Sequence, residues 1–217
     1  MIGIVFATER EAKPFLDKLS ILRQAQDDSD LVMVSSSNHR QDFYGNFVVL
    51  ICGMGPEKAV DSLKEFVKKY KIETIINVGI AGALKANFEI GHIVNVSHAV
   101  SLLSNEKYTL DEELFFSDLP SAVLATSKDP VFDDSLREKF SKIADIVDME
   151  GAEIARFCEA QKIKFSAIKA VSDFAGTGDR GKLYENIDRL SEKLAEILVR
   201  TLTPAPLPGG EGLTNYD

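Results

Sequence analysis

A chain of 217 residues, 45% hydrophobic and 27% charged, suits one soluble α/β unit with a full core. Its formal net charge of −9 sets the surface against nucleic-acid phosphates and anionic membranes, so neither is an expected partner. No run approaches the ~18 apolar residues of a membrane span, and the two cysteines, Cys52 and Cys158, read as buried thiols of a cytoplasmic protein.

The elements follow in chain order. "IGIVFA" (2–7) is an apolar, β-branched run that suits a strand buried on both faces. It reads as a first strand rather than a signal peptide, because no basic segment precedes it. "EREAKPFLDKL" is helix-like, with Pro14 tolerable if the helix begins near Lys13. Residues 23–42 are polar apart from the short strand "LVMV". "NFVVLICG" (46–53) is a second buried strand, and "PEKAVDSLKEFVKKY" (56–70) is an amphipathic helix with Ala59, Leu63, Phe66 and Val67 on one face. Strands are predicted at 74–79, 92–100, 121–127 and 165–173, and helices at 133–143 and 183–202. Between them, "DIVDMEGAEIARF" (145–157) passes from a strand-like run into a helix-like one. The final "TPAPLPGGEGLTNYD" holds too little apolar surface to offset its ordering entropy, so residues 1–202 are expected as one domain and 203–217 as a disordered tail.

Alternating strands and helices predict a three-layer α/β/α fold around a mixed, mostly parallel twisted sheet. Ligands of such sheets gather beyond the carboxyl ends of the strands. Five of those ends carry unusual residues: Glu9-Arg10-Glu11, the "CGMGPEKA" turn with Gly53 and Gly55, the "VGIAGAL" turn with Gly79 and Gly82, Asp148-Met149-Glu150, and Ser172-Asp173. Each has a plain reading. Glycines between a strand and a helix are commonly turns, Asp173 could cap a following segment, Asp148 could be a solvated or capping acid, and Glu11 could lie on a helix surface. Their coincidence at strand ends points to one site. The glycine loops do not extend into dinucleotide or P-loop patterns, and His39, His92 and His98 lack metal-ligand spacing, so neither a cofactor nor a metal is expected.

Residues 1–202 resemble the nucleoside phosphorylase/nucleosidase superfamily through "IGIVFATEREA", "CGMGPEKA", "INVGIAGALKANFEIGHIVNV", "VDMEGAEIA" and "AVSDFAG", in that order. The resemblance implies cleavage of the bond between ribose and a base, by water in methylthioadenosine/S-adenosylhomocysteine nucleosidases and futalosine hydrolases, by phosphate in other members. It implies that Glu150 accepts the ribose 2′- and 3′-hydroxyls, that Met149 packs on the sugar, that Asp173 protonates the purine N7, and that Glu11 activates water. Asp148, Gly79, Ile80, Gly53 and Ser172 are expected to complete the binding site. The base is expected against "ATSKDPVF" (125–132), with Val131 or Phe132 packed on it. Phosphorolysis would want cations, and Arg10 and Lys128 are the only ones near these loops, which favours water.

Ile80 stands where methylthioadenosine nucleosidases usually carry a small residue. The "GMGPEKA" and "GIAGAL" turns look closer to futalosine hydrolases and a hopanoid-associated phosphorylase-like group, which leaves the substrate's 5′ substituent open. The resemblance also implies a small-molecule purine nucleoside as partner and a homo-oligomer, a dimer first, with helix 56–70 and the loops near 98–118 as candidate contacts. A nucleoside-binding module without catalysis is the contrasting reading; both Glu11 and Asp173 are present, which argues against it.

Overall fold

The computed structural model describes residues 1–26, 33–36, 39–44, 47–111, 114–176 and 180–202, and among these ten strands and five helices follow one another. The first half runs β1 (Ile2–Phe6), α1 (Glu9–Gln26), β2 (Met33–Ser36), β3 (His39–Tyr44), β4 (Phe47–Ile51), α2 (Pro56–Lys69) and β5 (Thr74–Ala83). The second half runs β6 (Ile93–Ser101), β7 (Lys107–Thr109), β8 (Ser121–Thr126), α3 (Asp134–Ser141), β9 (Ile146–Asp148), α4 (Gly151–Gln161), β10 (Lys164–Phe174) and α5 (Arg180–Leu202).

The strands share one mixed sheet in the order β10-β6-β8-β9-β5-β1-β4-β3-β2, with β7 added beside β6. The long β5 organises it. Along one edge, Thr74–Asn77 lie parallel to β1 and Gly82–Ala83 pair antiparallel with β9. Along the other edge β10 runs parallel to it from Thr74 to Ala83. Because β10 continues to β6, β6 to β8 and β8 to β9, five strands close into a ring, while β1, β4, β3 and β2 extend from it as an open arm. At the centre β4, β1, β5 and β10 are all parallel, so their carboxyl ends open on the same side.

The apolar runs behave as strands buried on both faces should. Ile4 and Phe6 point one way and Val5 the other, following the two-residue period. Val5, Val48, Leu50 and Ile75 pack against Ala59, Leu63 and Phe66 of α2 and Ala152 and Ile154 of α4. The opposite face packs Ile4, Phe6, Val49 and Ile76 against Phe15, Leu16 and Leu19 of α1 and Leu190, Leu194 and Leu198 of α5. The three layers are thus those the sequence predicts.

Some details differ from the sequence reading. α1 starts at Glu9, not near Lys13, and Pro14 lies inside it, lacking the N–H that would bond to the Arg10 carbonyl. A cap built by Thr8 and Glu11, described below, sets this earlier start. β5 and β10 outrun their predicted ends. Val67 lies only partly buried against the core. β3 and β7 carry no clear alternation and are found through their neighbours, β4 and β6. Within the polar segment 23–42, β2 and β3 pair antiparallel. The expected tail, 203–217, lies outside the described residues. No helix among the described residues is long and apolar enough to cross a membrane.

Candidate functional site

A cleft of about 410 Å³ opens at the carboxyl ends of the central strands. Ala7, Thr8 and Glu11 enter it after β1, Met54 after β4, Ile80–Gly82 from β5, and Ser172 and Asp173 from β10. The β9–α4 turn supplies Val147–Glu150, the β8–α3 loop supplies Pro130–Phe132, and α5 adds Tyr184 and Ile187.

Glu11 is placed by the way α1 begins. Thr8 Oγ1 accepts the Glu11 N–H at 3.2 Å, and the Thr8 N–H donates to Glu11 Oε2 at 3.0 Å. This reciprocal Thr-x-x-Glu cap satisfies two backbone donors at once. The Thr8 hydroxyl also donates to Oε2 at 2.8 Å. Across the cleft floor, Oε1 accepts the Ile80 N–H at 3.1 Å. That reach depends on Gly79, where a Cβ would stand 2.7 Å from Oε1. Burial raises the pKa of Glu11 above the usual carboxylate range, against the pull of Thr8, Ile80 and Lys169.

The β9–α4 turn is held by Asp148. Its Oδ1 accepts the Thr126 hydroxyl at 2.6 Å and the N–H groups of Gly151 and Glu150 at 3.1 and 3.3 Å. Its Oδ2 accepts the Gly151 N–H at 3.0 Å and pairs with Lys169 Nζ at 2.8 Å. Thr126 Oγ1 accepts the Ala152 N–H at 2.8 Å, so Asp148 and Thr126 together satisfy the first donors of α4. Lys169, from β10, is only 2% exposed. Burial alone would discharge its ammonium, but Asp148, then Glu150 and Glu11, hold its pKa above the usual lysine value.

Glu150 follows at the start of α4. Its Oε1 accepts the Gly55 N–H at 2.6 Å, which leaves Oε2 without a protein hydrogen bond among the described residues. Gly55 donates from a left-handed backbone, φ 97°, that other residues rarely adopt. Burial first, and then Asp148, push the Glu150 carboxyl up to about 7, with Lys169 and Gly55 opposing. Glu11, Asp148 and Glu150 are each 6% exposed, so three buried carboxylates share one buried ammonium.

Asp173 is aimed by an irregularity. The β10–β5 register shifts between Val171 and Asp173, and such bulges turn a side chain out of the strand's alternation. Ser172 Oγ lies 2.6 Å from Asp173 Oδ1 and 3.3 Å from the Ala81 carbonyl, while Asn186 Nδ2 donates to the Ser172 carbonyl at 2.8 Å. Burial raises the Asp173 pKa, and Ser172 opposes it. The Gly176 N–H donates to the Val131 carbonyl at 3.0 Å and so ties the β8–α3 loop to the end of β10. At the mouth, Met54 and Tyr184 stay 61% and 59% exposed, forming an apolar rim. Arg10 joins α1 to α5 there, with Nε 2.6 Å from Asp188 Oδ1, Nη2 2.9 Å from Oδ2, and Nη2 donating to the Tyr184 carbonyl at 3.0 Å.

Of the residues singled out from sequence, Glu11, Ile80, Val131, Phe132, Asp148, Met149, Glu150, Ser172 and Asp173 line this one cleft. Gly53 and Gly79 do not line it; Gly79 works from behind by leaving room for Glu11. Asp148 reaches the cleft, and Lys169, Thr126 and two backbone N–H groups occupy its carboxylate, which makes it a buried capping acid. The Gly55 N–H at the start of α2 is taken by Glu150. Sequence reading passed over Thr8, Lys169 and Tyr184. The Thr-x-x-Glu spacing would have revealed the first, and a lysine inside the apolar strand "SAIKAV" the second, since a buried charge needs a partner. Among the described residues no group of three or more His, Cys, Asp or Glu is arranged to hold a metal ion. The substitution Gly79→Ala should expel the Glu11 carboxylate from the Ile80 N–H and cost ~1–3 kcal/mol, read by urea denaturation and by a crystal structure of the variant.

Comparison with known proteins matches this geometry to a family. The model of the phosphorylase superfamily matches residues 1–145 and 123–203. The 5′-methylthioadenosine/S-adenosylhomocysteine nucleosidases of Bacillus thuringiensis subsp. konkukian and Bacillus cereus are 23% and 24% identical, each alignment covering 93% of this chain and 97% of the relative. Among solved structures, a Helicobacter pylori mutant nucleosidase with 5′-methylthioadenosine in its active site superposes with a TM-score of 0.81 at 17% identity, covering 92% of this chain and 96% of that one. A futalosine hydrolase mutant from the same organism gives 0.79 at 17% identity, covering 91% and 96%. With both halves of the chain matched by the family model and the strand-end acids gathered in one cleft, the protein belongs to the phosphorylase superfamily.

Proposed function

We propose that the protein is a purine nucleosidase that hydrolyses the N-glycosidic bond of a 5′-modified adenosine-type nucleoside and releases the free base. The observation that carries this reading is the convergence of Glu11, Glu150 and Asp173, from three distant parts of the chain, on one cleft. The names of the Bacillus relatives support it. Glu150 accepts the ribose hydroxyls through charge-assisted hydrogen bonds, and Met149 lies against the sugar's apolar face. As the C1′–N9 bond breaks, its electron pair moves into the purine and Asp173 gives its proton to N7. Glu11 takes a proton from the water that bonds to C1′. A raised pKa suits Asp173 to the role of acid, and the buried carboxylates stabilise the positive charge that develops on the sugar.

Water is favoured over phosphate because the cations are already engaged. Arg10 is paired with Asp188, Lys128 lies 3.6 Å from Glu57, and Lys169 is buried against Asp148. The three buried carboxylates would repel a phosphate dianion. The 5′ substituent faces the Met54–Tyr184 rim, whose apolar surface suits a thioether or a larger apolar group. A futalosine-type substrate is the second reading, supported by the likeness of the fold to that hydrolase. A homodimer in the cytoplasm is part of the proposal, with α2 and the loops near 98–118 as the contact.

The test is incubation with methylthioadenosine, adenosylhomocysteine, inosine and futalosine, with and without phosphate, followed by chromatography for free base. Release without phosphate is the expected result; strict dependence on phosphate contradicts hydrolysis, and tight binding without release of base favours a binding module. Asp173→Asn is expected to lower turnover more than tenfold, beyond ~1.4 kcal/mol of barrier, with an unchanged melting temperature. A raised pKa means that Glu150 keeps its proton at low pH and is a good acceptor only above about 7. Nucleoside affinity should therefore tighten as pH rises from 6 to 8, by up to ~10-fold per unit below the midpoint, while adenine affinity lacks this limb. Isothermal titration across that range checks it, and Glu150→Gln should abolish the limb. For folding the sign is opposite: relative to the unfolded chain, Glu150 contributes most stability at low pH and loses it as pH rises through about 7.

A further inference from the structure

Lys169 stands in the middle of β10 with its side chain 2% exposed, and the reaction scheme above leaves it unused. A lysine is rarely buried without a partner, because the uncompensated ammonium costs several kcal/mol of solvation. The partner is Asp148 at 2.8 Å. Asp148 is also the residue that caps α4, so the ammonium, the carboxylate and the Thr126 hydroxyl form a chain that ends at the N–H groups of Glu150, Gly151 and Ala152. Lys169 also lies toward Glu11. It faces Gly79 in the sheet register, and a Cβ on Gly79 would stand 2.7 Å from Glu11 Oε1 and 3.8 Å from Lys169 Nζ. The missing side chain thus opens a gap shared by the two charged groups.

We propose that Lys169 is a positioning residue for the reaction: through Asp148 it holds the turn that presents Met149 and Glu150, and it supplies the counter-charge against which Glu150 stays a carboxylate. The groups that act on it are Asp148 from β9, Glu150 at the start of α4, Glu11 from α1 and the thiol of Cys52 after β4. Three of these are carboxyl groups, burial raises the pKa of the Cys52 thiol and keeps it neutral, and Lys169 is the buried cation among them. Without it, Glu150 would face Asp148 and Glu11 with no opposing charge and would retain its proton at the pH where sugar binding needs an acceptor. The part concerning sugar binding rests on the role given to Glu150 in the proposed reaction; the electrostatic part does not.

The experiment follows the Glu150 side-chain carboxyl by carbon NMR against pH in the ligand-free, full-length protein. In K169M the midpoint is expected to rise by ~1 unit or more, and in K169R to stay near wild type. Because K169M strips Asp148 of its partner and can unfold the protein, the comparison is repeated in the D148N background. There the double variant D148N/K169M should titrate higher than D148N alone. An unchanged midpoint in either comparison overturns the proposal, since a merely structural lysine would leave the midpoint in place. The rising limb of kcat/KM against pH should move with the NMR midpoint. If the wild type turns over no nucleoside while the midpoint still moves, the proposed reaction fails and the electrostatic role of Lys169 stands.

Discussion

Asp148 and Lys169 meet at 2.8 Å in a place where neither charge could stand alone. A buried ion pair is weak evidence of extra stability, because desolvation can outweigh the attraction, but breaking one is costly. Its value here is geometric. The carboxylate that neutralises the lysine also receives the first N–H groups of α4, so the charge pair, the helix start and the direction of Glu150 are one arrangement. Glu11 is fixed by the same logic at the other wall: its carboxylate closes the cap of α1 and also accepts an N–H of β5. Both walls of the cleft are therefore made by carboxylates doing the work of helix caps.

The ring of strands brings those walls together. β5 reaches past β1 so that its end can pair with β9, and β10 runs beside it over the whole length. This arrangement sets the ends of β5, β9 and β10 around one opening. The register shift at Ser172 then turns Asp173 toward that opening, opposite the β8–α3 loop that the Gly176 N–H holds in place.

The layered fold was legible because strands buried on both faces must be apolar throughout, and "IGIVF" and "FVVLI" leave little other choice. The strand-end acids stood out for the opposite reason: Glu11, Glu150 and Asp173 interrupt apolar runs where burial penalises charge. What could not be read locally depends on distance in the chain. Ile80 and Glu11 are 69 positions apart, so the use of Gly79 as an empty space emerges only once α1 and β5 are placed together. The run at 146–147 reads as strand-like, but its pairing with β5 and β8, on which the ring closure rests, cannot be read from three residues. Lys169 stands out as a charge inside the apolar strand "SAIKAV", but its partner Asp148 lies 21 positions away and emerges only once β9 and β10 are placed.

The position of β10 also bears on how the protein is made. The strand that completes the ring lies between β5 and β6 in space but is synthesised well after both. Until residue 174 has left the ribosome, one long edge of β5 has no neighbour, and the apolar surface beneath it stays open. Pairings between segments this far apart form slowly, and an unfilled strand edge invites other chains. Until β10 is made the sheet is incomplete, and the open edge of β5 is where wrong pairing has most to gain.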